Sequence, residues 1–153
     1  MFYDRPSQIE DRLFLGSMSH ANDRHVLKRL LITHVLTICH LPPTHYPDIS
    51  YRFVSLNDLP SEPISHKFAE CHKFIDAALA RGGRVLVHCY AGVSRSATVV
   101  IAYLMRKRGL SYPEAFGHVQ TRRAVVRPNY GFVQQLLDFS QRLQRLQHRP
   151  SLY

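Results

Sequence analysis

The sequence predicts a single domain of the α/β class, because short apolar segments alternate with longer segments of helical periodicity. Three segments rich in β-branched and apolar residues are typical of buried strands, at residues 34–38, 51–56 and 85–88. The chain has 153 residues and 45% hydrophobic content, which suits one buried core and leaves no room for a second. No internal repeat or low-complexity tract divides it.

Two predicted helices flank the third strand. The first begins near Ile64, where apolar residues recur on one helix face, and the glycine pair at 82 and 83 is a stop signal. The second runs from about Arg95 to Arg108. Its last three residues are basic, which complements the negative end of the helix dipole, and Gly109 ends it.

Two further helices complete the predicted domain. Ser111 and Glu114 form a capping-box pattern at the start of the third, and the fourth follows Asn129. We expect the fourth helix to turn six apolar residues inward: Phe132, Val133, Leu136, Leu137, Phe139 and Leu143. The domain is expected to span residues 1–145, and the basic residues 146–153 to form a frayed tail.

The composition favours an intracellular protein with anionic partners. Lys and Arg number 20 against 11 Asp and Glu, so the net charge of +9 attracts phosphorylated substrates, acidic proteins, nucleic acid or anionic lipid alike. Three cysteines do not suit a disulfide framework, and the N-terminus lacks a secretory pattern. The longest apolar run, residues 97–104, is too short to cross a bilayer. We expect no transmembrane segment and a location in the cytoplasm, with the nucleus as a further location.

Residues 84–108 carry the pattern of an anion-binding site. An apolar strand leads into Cys89, a short loop contains Gly92, and a helix then begins near Arg95. The backbone N–H groups of such a loop can converge on an anion, and the helix N-terminus adds unpaired N–H groups and its positive dipole end. Gly92 permits a positive φ or a close approach of two backbones.

The residue types at this site favour nucleophilic chemistry on a phosphoryl group. Positive potential at the loop would favour the thiolate of Cys89, and the planar guanidinium of Arg95 could offer two parallel donors to phosphoryl oxygens. The alternative is that Cys89 is an ordinary buried cysteine and Arg95 a solvated helix residue. The coincidence of strand, cysteine, glycine, arginine and helix argues against that alternative.

The segment HCYAGVSRS at residues 88–96 resembles the signature of the protein tyrosine phosphatase superfamily, and VLVHCYAGVSRSATVVIAYLM resembles its dual-specificity branch, of the small, atypical type. The similarity extends from IEDRLFLGSMSHA to RPNYGFVQQL and covers most of residues 8–143. It implies a single-domain tyrosine-phosphatase-like fold, in which a central, mostly parallel twisted sheet has helices on both faces. It also implies hydrolysis of phosphotyrosine and phosphoserine or phosphothreonine esters through a phosphocysteine, without a cofactor.

The resemblance assigns a role to each residue of the loop. Cys89 would attack phosphorus, and Arg95 would hold the transferring oxygens. The backbone amides of six loop residues would also bind these oxygens, namely those of Tyr90, Ala91, Gly92, Val93, Ser94 and Arg95. Chain position and resemblance together favour Asp58 as the general acid, since it follows the second predicted strand; Glu62 competes with it, and Asp48 does so more weakly.

Three more residues have supporting roles by resemblance. Ser96 would donate its hydroxyl to the Cys89 sulfur, although a helix cap is an equally ordinary use of serine. His88 would order the loop by hydrogen bonding. Asn129 would brace the phosphate loop, or cap the following helix.

A second cysteine suggests redox control, whereas the histidines do not suggest a metal. In relatives a cysteine near the position of Cys39 can form a disulfide with the catalytic one, so a reversible bond from Cys39 to Cys89 is one hypothesis; a small buried core residue is the other. Cys71 is expected in the core. The ten histidines show no metal-ligand spacing, and we predict no metal.

The expected partner is a phosphorylated protein. The variable loop positions are uncharged, whereas phosphoinositide-selective relatives tend to place lysines there. The charge of +9 keeps an RNA 5′-phosphatase open as an alternative, yet no platform of interleaved aromatic and basic residues favours nucleic acid. A catalytically weak scaffold that binds phosphoproteins is the alternative of another class. The sequence leaves the oligomeric state open.

Overall fold

A computed structural model of the protein describes residues 4–147. Five strands form one sheet: β1 (Ser7–Glu10), β2 (Leu13–Gly16), β3 (His34–Cys39), β4 (Ser50–Ser55) and β5 (Val85–His88). Their order across the sheet is β1-β2-β5-β3-β4, and all neighbours are parallel except β1 and β2. The helices are α1 (Met18–Ala21), α2 (Arg24–Arg29), α3 (Phe68–Ala80), α4 (Arg95–Arg108), α5 (Tyr112–Arg122) and α6 (Tyr130–Gln147).

Helices cover both faces of the sheet, as predicted. Side chains alternate along β5, so Val85 and Val87 face one side and Leu86 the other. The larger core lies on the first side and includes residues of α3, α4, α5 and α6. A smaller cluster, with Ala21 of α1 and Leu27 of α2, packs on the second side. These two layers confirm the α/β fold class with a mostly parallel sheet.

The N-terminal elements β1, β2, α1 and α2 were not predicted from the sequence. The strand β1 has the mostly polar sequence SQIE, and β2 has only three apolar residues before Gly16, a run too short to distinguish a strand from a helix. The helices are also short, but their caps are present in the sequence: Ser17 accepts a hydrogen bond from the His20 N–H, and Asp23 caps α2. The strand predicted at 51–56 lies one residue earlier, and β3 extends one residue further, to Cys39.

Most predicted helices have the expected limits. A 3-10 turn at Ile64–Lys67 precedes α3, α4 has the predicted bounds, and Gly109 ends it with a φ of 66°. The capping box of α5 forms with both of its hydrogen bonds. No helix within residues 4–147 has the length and hydrophobicity that a membrane span requires.

The prediction for the inner face of α6 was wrong at one position. Leu137 is 39% exposed, whereas its neighbour Leu136 is fully buried. Successive residues on a helix point about 100° apart, so a helix that is covered on one face only can leave one of two neighbours exposed. The helix continues to Gln147, so residues 146 and 147 of the predicted tail are helical, and residues 148–153 lie outside the described chain.

Candidate active site

The carboxyl ends of three parallel strands meet at one edge of the sheet, where the predicted site residues gather. Cys89 follows β5, His40 follows β3, and the segment with Asp58 follows β4. The phosphate loop, defined here as residues 89–95, leads from β5 into the first turn of α4. Crevices at such strand ends are the usual ligand sites of open α/β sheets.

The carbonyl oxygens of the phosphate loop are bound by groups outside it. Four contacts hold them: Met18 N to Tyr90 O (3.0 Å), Arg123 Nη2 to Ala91 O (3.2 Å), Arg123 Nε to Gly92 O (2.9 Å) and Arg127 N to Val93 O (2.8 Å). In a trans peptide the N–H points opposite to the C=O. The amides of residues 91–94 therefore point to the other side of the loop, which is the arrangement that an anion requires.

Gly92 is required at its position for two reasons. Its φ is +70°, in the left-handed region that a side chain disfavours. A Cβ there would also lie 2.5 Å from the carbonyl oxygen of Gly16 and 2.7 Å from Nη2 of Arg123. The close packing of the phosphate loop against β2 and Arg123 thus depends on the missing side chain.

The thiol of Cys89 lies at the centre of the loop and is only 2% exposed. Its sulfur is 3.0 Å from the Ser96 hydroxyl oxygen and accepts a hydrogen bond from the Gly92 N–H at 3.3 Å. Burial alone would raise the pKa of Cys89, but the Ser96 hydroxyl, the N–H groups of Ser96 and Gly92, and the charge of Arg95 together lower it below the ordinary thiol value. The thiolate is the form that can act as a nucleophile.

Ser96 contacts the sulfur from inside the helix, and Ser94 occupies the N-cap position of α4. Of the two uses considered for Ser96, the structure therefore shows the contact with Cys89 and not a cap. The Ser94 hydroxyl accepts a hydrogen bond from the backbone N–H of Asn129 at 3.0 Å. This bond ties the phosphate loop to the start of α6.

Arg95 is buried, with 6% exposure, and only part of its guanidinium is bonded to the protein. Nη1 donates to the Leu56 carbonyl oxygen at 3.0 Å and lies 3.1 Å from Nδ1 of His40. Nε is buried and has no hydrogen-bond partner among residues 4–147. A buried guanidinium N–H without an acceptor is unfavourable, and a phosphoryl oxygen would supply that acceptor.

His88 holds the start of the loop through both ring nitrogens. Nδ1 lies 3.0 Å from the Cys89 carbonyl oxygen, so Nδ1 donates, and Nε2 then accepts from the Thr37 hydroxyl at 2.7 Å. Burial lowers the pKa of His88 to about 4, which keeps the ring neutral near pH 7. The ring therefore suits an ordering role and is poorly suited to act as a base.

Asp58 is exposed and is held by a side chain from the far end of the chain. The Asn129 amide group donates to Asp58 Oδ1 at 2.9 Å, while Asn129 Oδ1 accepts from the Phe132 N–H at 2.9 Å. Asn129 thus caps α6 and also contacts both Asp58 and Ser94. Glu62 instead accepts from the Asn57 N–H at 3.0 Å within its own loop.

Comparison with known proteins assigns the chain to a family. The sequence model of the dual specificity phosphatase catalytic domain matches residues 13–142. Dual specificity protein phosphatase 1 of Arabidopsis thaliana is 44% identical over 140 residues, which are 91% of this chain and 71% of that protein. The chain belongs to the dual specificity phosphatase family. Its membership confirms the enzyme class that the sequence predicted.

Solved structures of dual specificity phosphatases and related proteins share the fold. The crystal structure of a mouse protein complexed with zinc tungstate has a TM-score of 0.90 and 34% identity, and the match covers 96% of this chain and 94% of that one. A human tyrosine phosphatase-like serine/threonine/tyrosine-interacting protein has a TM-score of 0.88 and 37% identity, with 93% and 99% coverage.

The remaining cysteines of this phosphatase lie in different surroundings. Cys39 is buried, and its sulfur lies 3.7 Å from Nδ1 of His40. The reversible bond between Cys39 and Cys89 stays a prediction. Cys71 lies on the buried face of α3, in the larger core, where burial raises its pKa to about 12 and so keeps it a neutral thiol. Across the described residues, no group of three or more His, Cys, Asp or Glu side chains could hold a metal ion.

Arg123 is the main site residue that sequence reasoning missed. It lies at the end of α5, is 6% exposed, and holds two carbonyl oxygens of the phosphate loop. Thr37, which orients His88, was missed as well. Neither residue belongs to the contiguous segment around Cys89 that carries the signature, and nothing in their local sequence marks them as partners of the loop.

Proposed function

We propose that this phosphatase hydrolyses phosphotyrosine and phosphoserine or phosphothreonine esters of proteins through a phosphocysteine on Cys89. The observation that carries the proposal is the phosphate loop itself. Its carbonyl oxygens are turned outward, its thiol has a lowered pKa, and the buried Nε of Arg95 lacks an acceptor among residues 4–147. These features suit a tetrahedral oxyanion next to a nucleophilic sulfur.

In the first step the Cys89 thiolate attacks phosphorus, and the bond from phosphorus to the ester oxygen breaks. Asp58 gives its proton to that oxygen, so the alcohol or phenol leaves in neutral form. The loop amides and Arg95 stabilise the charge on the three transferring oxygens. The products of this step are the phosphocysteine, the Asp58 carboxylate and the dephosphorylated side chain.

In the second step water attacks the phosphocysteine, and the Asp58 carboxylate accepts the proton of that water. The bond from phosphorus to sulfur breaks, and Cys89 leaves as a thiolate. The Ser96 hydroxyl, 3.0 Å from the sulfur, stabilises this thiolate by hydrogen bonding. Inorganic phosphate is released, and both catalytic residues return to their starting forms.

The uncharged residues of the phosphate loop favour protein substrates over inositol lipids. Tyr90 is 58% exposed beside the thiol, and the residues between Cys89 and Arg95 carry no formal charge. A polyphosphorylated inositol lipid would gain from cations at those positions. The need to keep Cys89 reduced favours a reducing compartment, so we infer an intracellular location.

The decisive experiment compares the native protein with Cys89→Ser in hydrolysis of an aryl phosphate. We expect a loss of about 10,000-fold or more, because the hydroxyl is a far weaker nucleophile, while a phosphotyrosine peptide still binds. Cys71→Ala is the matched control, since it removes a core thiol and should keep the native rate. If native protein and Cys89→Ser are equally inert and both bind the peptide, the scaffold alternative replaces the enzyme.

A substrate panel then separates the remaining alternatives. It contains peptides with one or two phosphorylated residues, phosphoinositides and 5′-triphosphorylated RNA. We expect the phosphopeptides to give the highest kcat/KM. A higher value for the RNA would instead support the RNA 5′-phosphatase, which the charge of +9 keeps open.

A further inference from the structure

His40 stands at the mouth of the site and contacts the arginine of the phosphate loop. It follows β3 directly, and its side chain is exposed. Nδ1 of its ring is 3.1 Å from Nη1 of Arg95, and the ring centre is 5.9 Å from that of Tyr90. None of the catalytic steps derived above uses this histidine.

The direction of the hydrogen bond fixes the form of the His40 ring. A guanidinium N–H can only donate, so Nδ1 must accept, and the ring is neutral with its proton on Nε2. The second acceptor at Nη1 is the Leu56 carbonyl oxygen at 3.0 Å. His40 and Leu56 therefore hold the same nitrogen of Arg95, from the ends of β3 and β4.

Because Nη1 is held in this way, the opposite edge of the Arg95 guanidinium has a defined orientation. With Nη1 held, the edge formed by Nε and Nη2 remains to bind a ligand, and the buried Nε has no acceptor among the residues that the structure describes. Two parallel donors on one edge match two oxygens of a phosphoryl group. A guanidinium that turned about its long axis would present one donor in place of two.

We propose that His40 is a positioning residue, whose neutral ring holds Arg95 Nη1 and thereby aims the Nε and Nη2 edge at the phosphoryl group. This role rests on the proposed function of the phosphate loop. A neutral acceptor suits the position, because a carboxylate there would offset the positive charge of Arg95 that attracts phosphate. A cationic side chain would offer no acceptor and would repel Arg95.

The test compares His40→Ala, which removes the acceptor, with His40→Asn, whose side-chain oxygen can take the place of Nδ1. The control is His45→Ala. His45 lies in the same segment between β3 and β4, but its ring stacks on that of Tyr51, with 4.1 Å between the ring centres, and does not contact Arg95. Two quantities are measured for each variant: the dissociation constant of tungstate, and kcat and KM for an aryl phosphate.

We expect His40→Ala to weaken tungstate binding and to raise KM by about five- to tenfold each, as for loss of one hydrogen bond, with a smaller change in kcat. His40→Asn should stay within about twofold of the native protein, as should His45→Ala. Tungstate binding does not need turnover, so it tests this role even if Cys89 proves inactive. Native tungstate affinity in His40→Ala, or equal defects in His40→Ala and His40→Asn, would overturn the proposal.

Discussion

The phosphate loop and the acid loop, here residues 57–62, share one edge of the sheet but are held in different ways. In the phosphate loop, backbone groups and a buried arginine from separate parts of the chain fix the carbonyl oxygens. In the acid loop, the catalytic candidate Asp58 is exposed and is held by the side chain of Asn129. The loop proposed to bind an anion is thus held by several separate contacts, whereas the carboxyl proposed to deliver a proton is exposed and has one hydrogen-bond partner among the described residues, Asn129.

This difference suits the role that is proposed for each loop. Converging N–H groups stabilise a transition state only when they are already aimed, because reorienting them during the reaction would lose the benefit. A general acid needs to reach the leaving oxygen of differing side chains, and an exposed carboxyl on one tether can adjust to them. Substitutions should therefore affect the phosphate loop through geometry and the acid loop through chemistry.

The strongest challenge to the rigid phosphate loop is Gly92→Ala. The new Cβ would require a backbone shift away from the Gly16 carbonyl oxygen, 2.5 Å away, at a φ of +70°. Because several amides move together, we expect kcat/KM for an aryl phosphate to fall by about 100- to 1,000-fold. Urea unfolding should also show a loss of about 2 kcal/mol or more.

The chain offers a matched control in Gly109→Ala. Gly109 also has a positive φ, +66°, but nothing lies within 4 Å of its added Cβ. We expect a stability loss of about 1 kcal/mol from backbone strain alone, with activity within about twofold of native. Equal activity losses in the two variants would show that strain, and not the contact with β2, accounts for the effect of Gly92.

The acid loop is tested by Asp58→Asn, which keeps the shape of the side chain and removes its proton. We expect kcat for phenyl phosphate to fall by about 100-fold. The loss should be smaller for 4-nitrophenyl phosphate, since its more acidic phenol leaves without full protonation. Binding of a phosphopeptide should be largely unchanged.

Two variants sharpen the assignment of the acid. Glu62→Gln keeps an oxygen that can accept from the Asn57 N–H, so it should retain the native rate. Asn129→Ala removes the tether of Asp58 and should give an intermediate loss of about fivefold, as for one hydrogen bond. An unchanged rate in Asp58→Asn together with a loss in Glu62→Gln would move the general acid to Glu62.

The same contrast explains how much the sequence could predict. The strand β5, the residues Cys89, Gly92 and Arg95, and the whole of α4 lie within one contiguous segment, so local rules and resemblance were enough to predict their arrangement. The position of Asp58 at the same edge could also be predicted, because the carboxyl ends of parallel strands share an edge. Asn129 was identified as a cap or a brace, and the structure shows it in contact with both Asp58 and Ser94.

The supports of the phosphate loop could not be predicted in the same way. Arg123 is buried only because the fold brings the end of α5 against the loop. From the sequence alone it is one basic residue among many on a chain of charge +9. The error at Leu137 has the same origin, because the width of the buried face of α6 depends on its neighbours and not on the pattern of apolar residues alone.

The last expected effect depends on pH and concerns the boundary between the loop and its helix, where the Ser96 hydroxyl lies 3.0 Å from the Cys89 sulfur. Burial works against the thiolate, and Ser96 is foremost among the groups that overcome it and lower the pKa of Cys89. Because the thiolate is lost as pH falls through this pKa, Ser96→Ala should raise the pKa of Cys89 and move the acid limb of the kcat/KM profile to higher pH. The rate should then fall more at acidic pH than above the limb, whereas profiles that superimpose after scaling would show that Gly92 and Arg95 are enough to stabilise the thiolate.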